Sequence, residues 1–228
     1  MKSSVLGLGI AFLLAAGAAN AQVQNGSFEL PPAERGSFTD FVVGSVAIPG
    51  WTVVGPAGTV VSIVSTSFTQ LGVSFQAQNG AQWLDLTGNG SNSSEGISQT
   101  LSTIAGHRYD VTFFVGNTTG GSIFGTTSTV NLGINGVQSF SAVNSMINAT
   151  SLSWQQFAYG FVATGASTNL VFSNGDPGGD NSNGLDNIAL VDRGPVVSPV
   201  PEPETYAMML AGFAALGMAS RRRKARRA

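Results

Sequence analysis

Between residues 22 and 193 apolar residues tend to recur at every second position, and the 3.6-residue spacing of an amphipathic helix is nearly absent. In 108–117, Tyr109, Val111, Phe113 and Val115 fall on one side and Arg108, Asp110 and Thr112 on the other. Phe157, Tyr159, Phe161 and Ala163 alternate likewise. Val130, Leu132 and Ile134 lead into Asn135-Gly136, followed by Val137 and Phe140. Asn-Gly between two alternating runs predicts a tight hairpin, because both turn positions need positive φ. Further strands are expected at Val23–Phe28, Trp51–Val54, Val60–Val64, Gln82–Leu86, Ile97–Leu101, Asn169–Ser173 and Leu185–Val191. The pattern predicts an all-β fold, an antiparallel β-sandwich, since a single sheet would leave one apolar face wet. Long loops are expected at Pro31–Pro49, Ser65–Gly80 and Asp176–Gly184, with room for one helical turn in Ser141–Ser151.

The two ends follow different rules. Lys2, the apolar run Val5–Ala16 and Ala19-Asn20-Ala21 have the order of a secretory signal over 1–21, with cleavage before Gln22. The body is expected to cover 22–194. Residues 195–204 form a Pro-rich linker, 205–220 a short apolar helix read as membrane-inserting, and 221–228 an Arg-rich tail expected in the cytoplasm. The helix is marginal for a span: fourteen residues, Tyr206 to Ala219, reach about 21 Å, against roughly 30 Å of hydrocarbon.

Charge and composition narrow the chemistry. Only 10% of the 228 residues are charged, too few for coiled coils or long charged helices. Six of the ten basic residues lie in the tail; residues 22–199 hold three bases and ten acids, a balance of −7. Such a body is a poor partner for nucleic acid, whose phosphates need Lys and Arg. With no Cys and one His, thiolate and multi-histidine metal sites are excluded. His107, just before a strand, reads as a surface loop residue.

Enzyme chemistry is weakly signalled. A glycoside hydrolase needs two carboxyl groups about 5–10 Å apart. Asp85, Glu95, Asp110 and Asp186 are available, but no spacing singles out a pair. Sugar binding needs an aromatic face beside a few polar groups. Trp51 and Trp154 read as core. Trp83, with Gln82, Asp85 and Asn89 close by, is the candidate ligand-binding set, and Phe38, Phe41, Phe68, Phe75 and Phe124 are further aromatic candidates in loop-rich regions. Asp176, Asp180, Asn181 and Asn183 offer oxygen ligands in a Gly-rich loop, without the spacing of an EF-hand.

Two resemblances add to this reading. Pro201-Glu202-Pro203, the short apolar helix and the terminal Arg cluster resemble the PEP-CTERM sorting signal. That implies export, processing by an exosortase near the Pro-Glu-Pro motif after transient inner-membrane anchoring, and a place in the envelope or an exopolysaccharide matrix. The body motifs Asn25-Gly26-Ser27-Phe28-Glu29, Pro49-Gly50-Trp51, Trp83-Leu84-Asp85-Leu86, Ile97-Ser98-Gln99-Thr100-Leu101 and Leu185-Asp186-Asn187-Ile188 resemble, in their order, the choice-of-anchor C group of secreted bacterial proteins. That implies a galactose-binding-like jelly roll, a fold shared with carbohydrate-binding modules. It also implies a structural calcium held by Glu29 and Asp186. Trp83 departs from the pattern, where a smaller residue is expected, so its placement in the core or at the surface stays open. The function expected is a non-catalytic envelope or matrix protein that binds exopolysaccharide. The alternatives are a structural matrix protein without a defined ligand and a glycoside hydrolase.

Overall fold

The computed structural model describes residues 22–89, 93–176, 178, 182–196 and 207–216. The expected signal peptide, Pro201, Glu202, Pro203 and the Arg-rich tail lie outside them. Two compact units divide at Pro195/Val196. The second contributes one described helix over 207–216, within the 205–220 expected; the remaining residues of that expected helix lie outside the described residues. No helix among the described residues is long and apolar enough to cross a membrane.

The first unit is antiparallel throughout its named strands. In chain order these are β1 (Phe38–Val42), β2 (Thr52–Val54), β3 (Val60–Ser65), β4 (Thr69–Gln70), β5 (Val73–Ser74), β6 (Gln82–Asp85), β7 (Gly96–Ser102), β8 (His107–Asn117), β9 (Ser128–Ile134), β10 (Val137–Asn144), β11 (Ser153–Val162), β12 (Ser167–Asn174) and β13 (Gly184–Pro195). One sheet has the order β1-β3-β6-β13-β8-β11, the other β10-β9-β12-β7-β2, and β4-β5 form a small ribbon. The β9–β10 hairpin turns at Asn135 and Gly136, with φ of 50° and 81°, as the Asn-Gly pair predicts.

Alternation places one apolar face of each large sheet in a shared core. Val61, Ile63, Leu84, Val111, Phe113, Val115 and Leu185 come from the six-stranded sheet; Val53, Ile97, Val130, Leu132, Leu170 and Phe172 come from the other. Phe113 meets Phe172 edge-on at 5.1 Å, and Trp51 meets Phe172 at 6.2 Å. Trp51 is therefore a core residue, as its sequence position suggests.

A second apolar cluster covers the outer side of the six-stranded sheet: Val64, Val73, Phe75, Trp83, Phe124 and Leu152, with Phe68 and Trp154 partly buried beside them. Two glycines make room for it. Across neighbouring strands Gly184 pairs with Gly116, and Gly116 with Trp154. A Cβ on Gly116 would lie 2.9 Å from the Trp154 ring, and one on Gly184 also 2.9 Å from it. The indole thus lies over both backbones and donates its N–H to the Gln76 carbonyl at 2.9 Å.

Several expectations are corrected. Residues 24–27 form turns instead of the strand expected at Val23–Phe28, with Asn25 and Phe28 at φ of 51° and 55°. Asn25 caps this bend: its amide donates to Leu30 O at 2.6 Å and accepts from Leu30 N at 3.1 Å. The loops Pro31–Pro49 and Ser65–Gly80 contain β1 and the β4–β5 ribbon. No helical turn forms in Ser141–Ser151; β10 runs on to Asn144, whose amide donates to Val115 O and Ser153 O, both at 2.8 Å. We expect Gly116→Ala to destabilise the fold by about 1–3 kcal/mol through overpacking against Trp154. Denaturant unfolding measures this, and an unchanged midpoint contradicts the packing described.

Candidate functional site

A pocket of about 220 Å³ opens on the outer side of the six-stranded sheet, at the β1-β3-β6 end. Its walls follow from register. Phe38 pairs with Val64 and Val64 with Trp83, one row across three strands; Asp40, Ser62 and Asp85 form the next row. Phe38, Ser62, Val64, Trp83 and Asp85 line the pocket, joined by Phe68, Gln70, Phe75, Gly88, Asn89, Ile123 and Phe124 from the covering segments. The rings support one another. Phe75 stacks on Trp83 at 6.2 Å and meets Phe124 edge-on at 5.3 Å, and Phe68 meets Phe38 edge-on at 5.5 Å. Ser62 Oγ donates to Asp40 Oδ1 at the pocket edge.

The expected ligand set divides. Trp83, Asp85 and Asn89 line the pocket. Trp83 is the floor: it is 1% exposed, and its indole N–H donates to Phe75 O at 3.0 Å. The most exposed of the pocket's rings is Phe38, 36% exposed, in a segment expected to be a long loop. Gln82 lies one position from Trp83 and so points to the opposite side of the strand. Its amide is committed to the incoming chain, donating to Phe28 O and Pro31 O and accepting from Ala33 N. Asp85 is buried. Its Oδ1 accepts from Thr87 N, Thr87 Oγ1 and Asn183 N, at 3.0, 2.7 and 3.3 Å.

Of the four acids considered for hydrolysis, Asp85 alone lines this pocket. Asp110 is bound by Arg193 at 2.8 Å and Arg108 at 3.4 Å, which hold its carboxyl below the usual range. Glu95 and Asp186 are fully buried. His107 starts β8 half-buried, with Nδ1 2.9 Å from Asp192.

Glu29 and Asp186 converge on one segment, 78–82. Asp186 Oδ2 accepts from the N–H groups of Gln78 and Asn79 at 3.0 Å each, and Oδ1 from Asn187 N at 2.7 Å. Glu29 Oε1 accepts from Ala81 N and Gln82 N at 3.0 and 3.3 Å. Gly80 permits this, since a Cβ there would lie 2.2 Å from Glu29 Oε1. Burial pushes Asp186 up to about 7 against its hydrogen bonds, and the negative charge of Glu29 adds to the rise. A buried carboxyl with a second acid beside it suits a cation in charge. Their hydrogen-bond partners are nevertheless main-chain N–H groups, and no group of three His, Cys, Asp or Glu residues among those described is arranged to hold a metal.

Comparison with solved structures finds distant likenesses. A xylan-binding CBM22-1 domain of Paenibacillus barcinonensis Xyn10C is 16% identical, covering 70% of this chain and 97% of that one, with a TM-score of 0.41. TmCBM61, solved with β-1,4-galactotriose, is 16% identical, covering 77% and 100%, with a TM-score of 0.45. The EclA C-terminal domain, a sugar-binding protein, is 20% identical with a TM-score of 0.34; the match covers 41% of this chain and 64% of that one. No curated protein matches. Residues 199–224 match the PEP-CTERM protein-sorting motif, which marks the chain for exosortase-dependent export and envelope sorting. The match to the model described as "Protein of unknown function (DUF642)" runs over residues 21–191, nearly the whole β-sandwich, and the chain belongs to that family.

Proposed function

We propose that the β-sandwich is a non-catalytic polysaccharide-binding module, delivered to the envelope or extracellular matrix by its terminal sorting motif. The observation that carries this reading is the pocket. It joins a ring-lined wall of Phe38, Phe68, Phe75 and Phe124 to polar groups from Ser62, Gln70, Asp85 and Asn89. Sugars present C–H faces and hydroxyls together, and a mixed wall of this kind matches both. The choice-of-anchor C type and the galactose-binding-like fold belong to the same proposal, as does a structural calcium between Glu29 and Asp186. That ion would relieve the mutual repulsion of the two carboxylates and tie the segment after the signal peptide to β13.

Phe38→Ala should weaken retention on a bound exopolysaccharide about tenfold while the melting temperature stays near wild type, since a well-placed aromatic contact contributes on the order of 1 kcal/mol. Affinity electrophoresis reads this; if no polysaccharide retards the wild-type chain, the structural-matrix alternative stands instead. Trp83→Ala should cost about 3–5 kcal/mol of stability, because it empties the pocket floor.

The pH dependence of Asp186 has a definite sign. Its folded pKa lies above its ordinary value, so its ionisation opposes folding. The cost is absent below the unfolded pKa, grows through the acidic range, and is complete above about 7. In chelator, Asp186→Asn should therefore flatten the loss of stability between pH 5 and 8, a slope of up to about 1.4 kcal/mol per pH unit. Calcium should raise the wild-type melting temperature at pH 8, and Asp186→Ala should remove the share due to the Glu29–Asp186 site. A wild-type melting curve indifferent to chelator rejects the ion.

A further inference from the structure

One end of the sandwich holds buried polar groups that the pocket does not use. Glu95 immediately precedes β7 and is fully buried. Its Oε1 accepts from Ser93 N at 3.3 Å, while Oε2 is buried without a hydrogen-bond partner among the described residues. Asn183 immediately precedes β13 and is also fully buried. Its amide donates to Thr129 O at 2.5 Å and Asn174 Oδ1 at 2.8 Å, leaving Oδ1 buried and without a partner among the described residues.

Asn174 joins these residues. Its N–H donates to Glu95 O at 2.8 Å and its amide to Ser93 O at 2.7 Å, while its Oδ1 receives the Asn183 amide. Two further buried acids share the network. Asp85 Oδ1 accepts from Asn183 N, and Asp176 Oδ1 accepts from Thr129 N at 2.6 Å. Asp176 and Asn183 belong to the oxygen-rich loop noted in the sequence; Asp180 and Asn181 lie outside the described residues.

We infer that Glu95 Oε2 and Asn183 Oδ1 take a calcium-class divalent cation, at a site separate from Glu29 and Asp186. With Glu95 ionised, both leftover atoms are acceptors, and each then lacks a positive or donating neighbour. Water could donate to both but would leave the carboxylate charge uncompensated, and buried charges are normally paired or bound to metal. The ion pairs among the described residues are His107–Asp192, Arg108–Asp110 and Arg193–Asp110; none reaches Glu95. Burial pushes the Glu95 carboxyl above its ordinary range, as expected for an acid without a counter-ion. Oxygen-only ligands select a hard cation, and with two protein oxygens identified, main-chain carbonyls and water would complete its six to eight ligands. The ion would fasten the start of β7 in one sheet to the start of β13 in the other.

The test is calorimetric titration of the metal-stripped full chain with calcium chloride, alongside melting curves. Wild type should bind two ions. Asp186→Asn should lose one, and Glu95→Gln should weaken the other at least tenfold. In calcium-free buffer Glu95→Gln should melt at or above wild type, because it removes an uncompensated charge. Glu95→Asp, which keeps the charge but shortens the arm, should bind calcium more weakly than wild type, and serves if Glu95→Gln does not fold. Unchanged calcium binding by the Glu95 variants overturns the proposal even if Asp186→Asn loses an ion. A more stable Glu95→Gln variant beside a wild type that binds no calcium overturns it too, and identifies a protonated acid or buried water. Loss of binding only in the Glu95 variants supports this site and rejects the Glu29–Asp186 ion.

Discussion

β6 must be buried on both faces, and the rest of the body is arranged around that requirement. The strand has four residues, Gln82–Asp85, and all are buried. Leu84 enters the core between the sheets, while Trp83 and Asp85 face outward, where a sandwich ordinarily meets water. An indole left wet there would forfeit several kcal/mol of apolar burial. The chain avoids this by laying the 66–81 segment, Phe124 and Trp154 over the sheet. The pocket is the gap this second layer leaves, which is why its floor and far wall are aromatic.

Holding irregular chain over a sheet requires partners for its main-chain groups. The protein supplies them mostly with uncharged side chains, consistent with its low charge content. Gln82 fixes residues 28–33 through both ends of its amide. Gln99 does the same for Gln24 and Gly50, and Asn148 for residues 150 and 151. Glu29 and Asp186 do it with charge, around 78–82. Amides do this without the desolvation cost of a carboxylate, so the buried acids are where an ion has something to contribute.

The strands with clean alternation were legible in the sequence: β8, β11 and the β9–β10 hairpin lie within a few residues of their expected bounds. β1 was not, because its pattern FTDFV buries only Phe41, and a one-sided edge strand looks like polar loop. Val23–Phe28 has apolar side chains only at its two ends, five positions apart and so on opposite faces of a strand, and Asn25 captures Leu30 and turns the chain. Trp83, Asp85 and Asn89 were legible as neighbours in sequence and share the pocket. Gln82 was grouped with them by proximity alone, although a strand turns adjacent residues to opposite faces. Phe38, Phe68, Phe75 and Phe124 were legible as loop-region aromatics, but the place of Phe38 beside Trp83 depends on β1 pairing with β3, a contact that no local signal encodes.

β13 lies inside its sheet, hydrogen-bonded to β6 on one side and to β8 along most of its length on the other. The chain leaves this strand at Pro195 toward the sorting motif. Were the body tethered by its C-terminus, a pulling force would enter through the end of an interior strand. Tension along that strand would load its ladder in shear, with many hydrogen bonds resisting together, so resistance to flow would be set by the forced-unfolding rate of the central strand instead of by fraying at an edge.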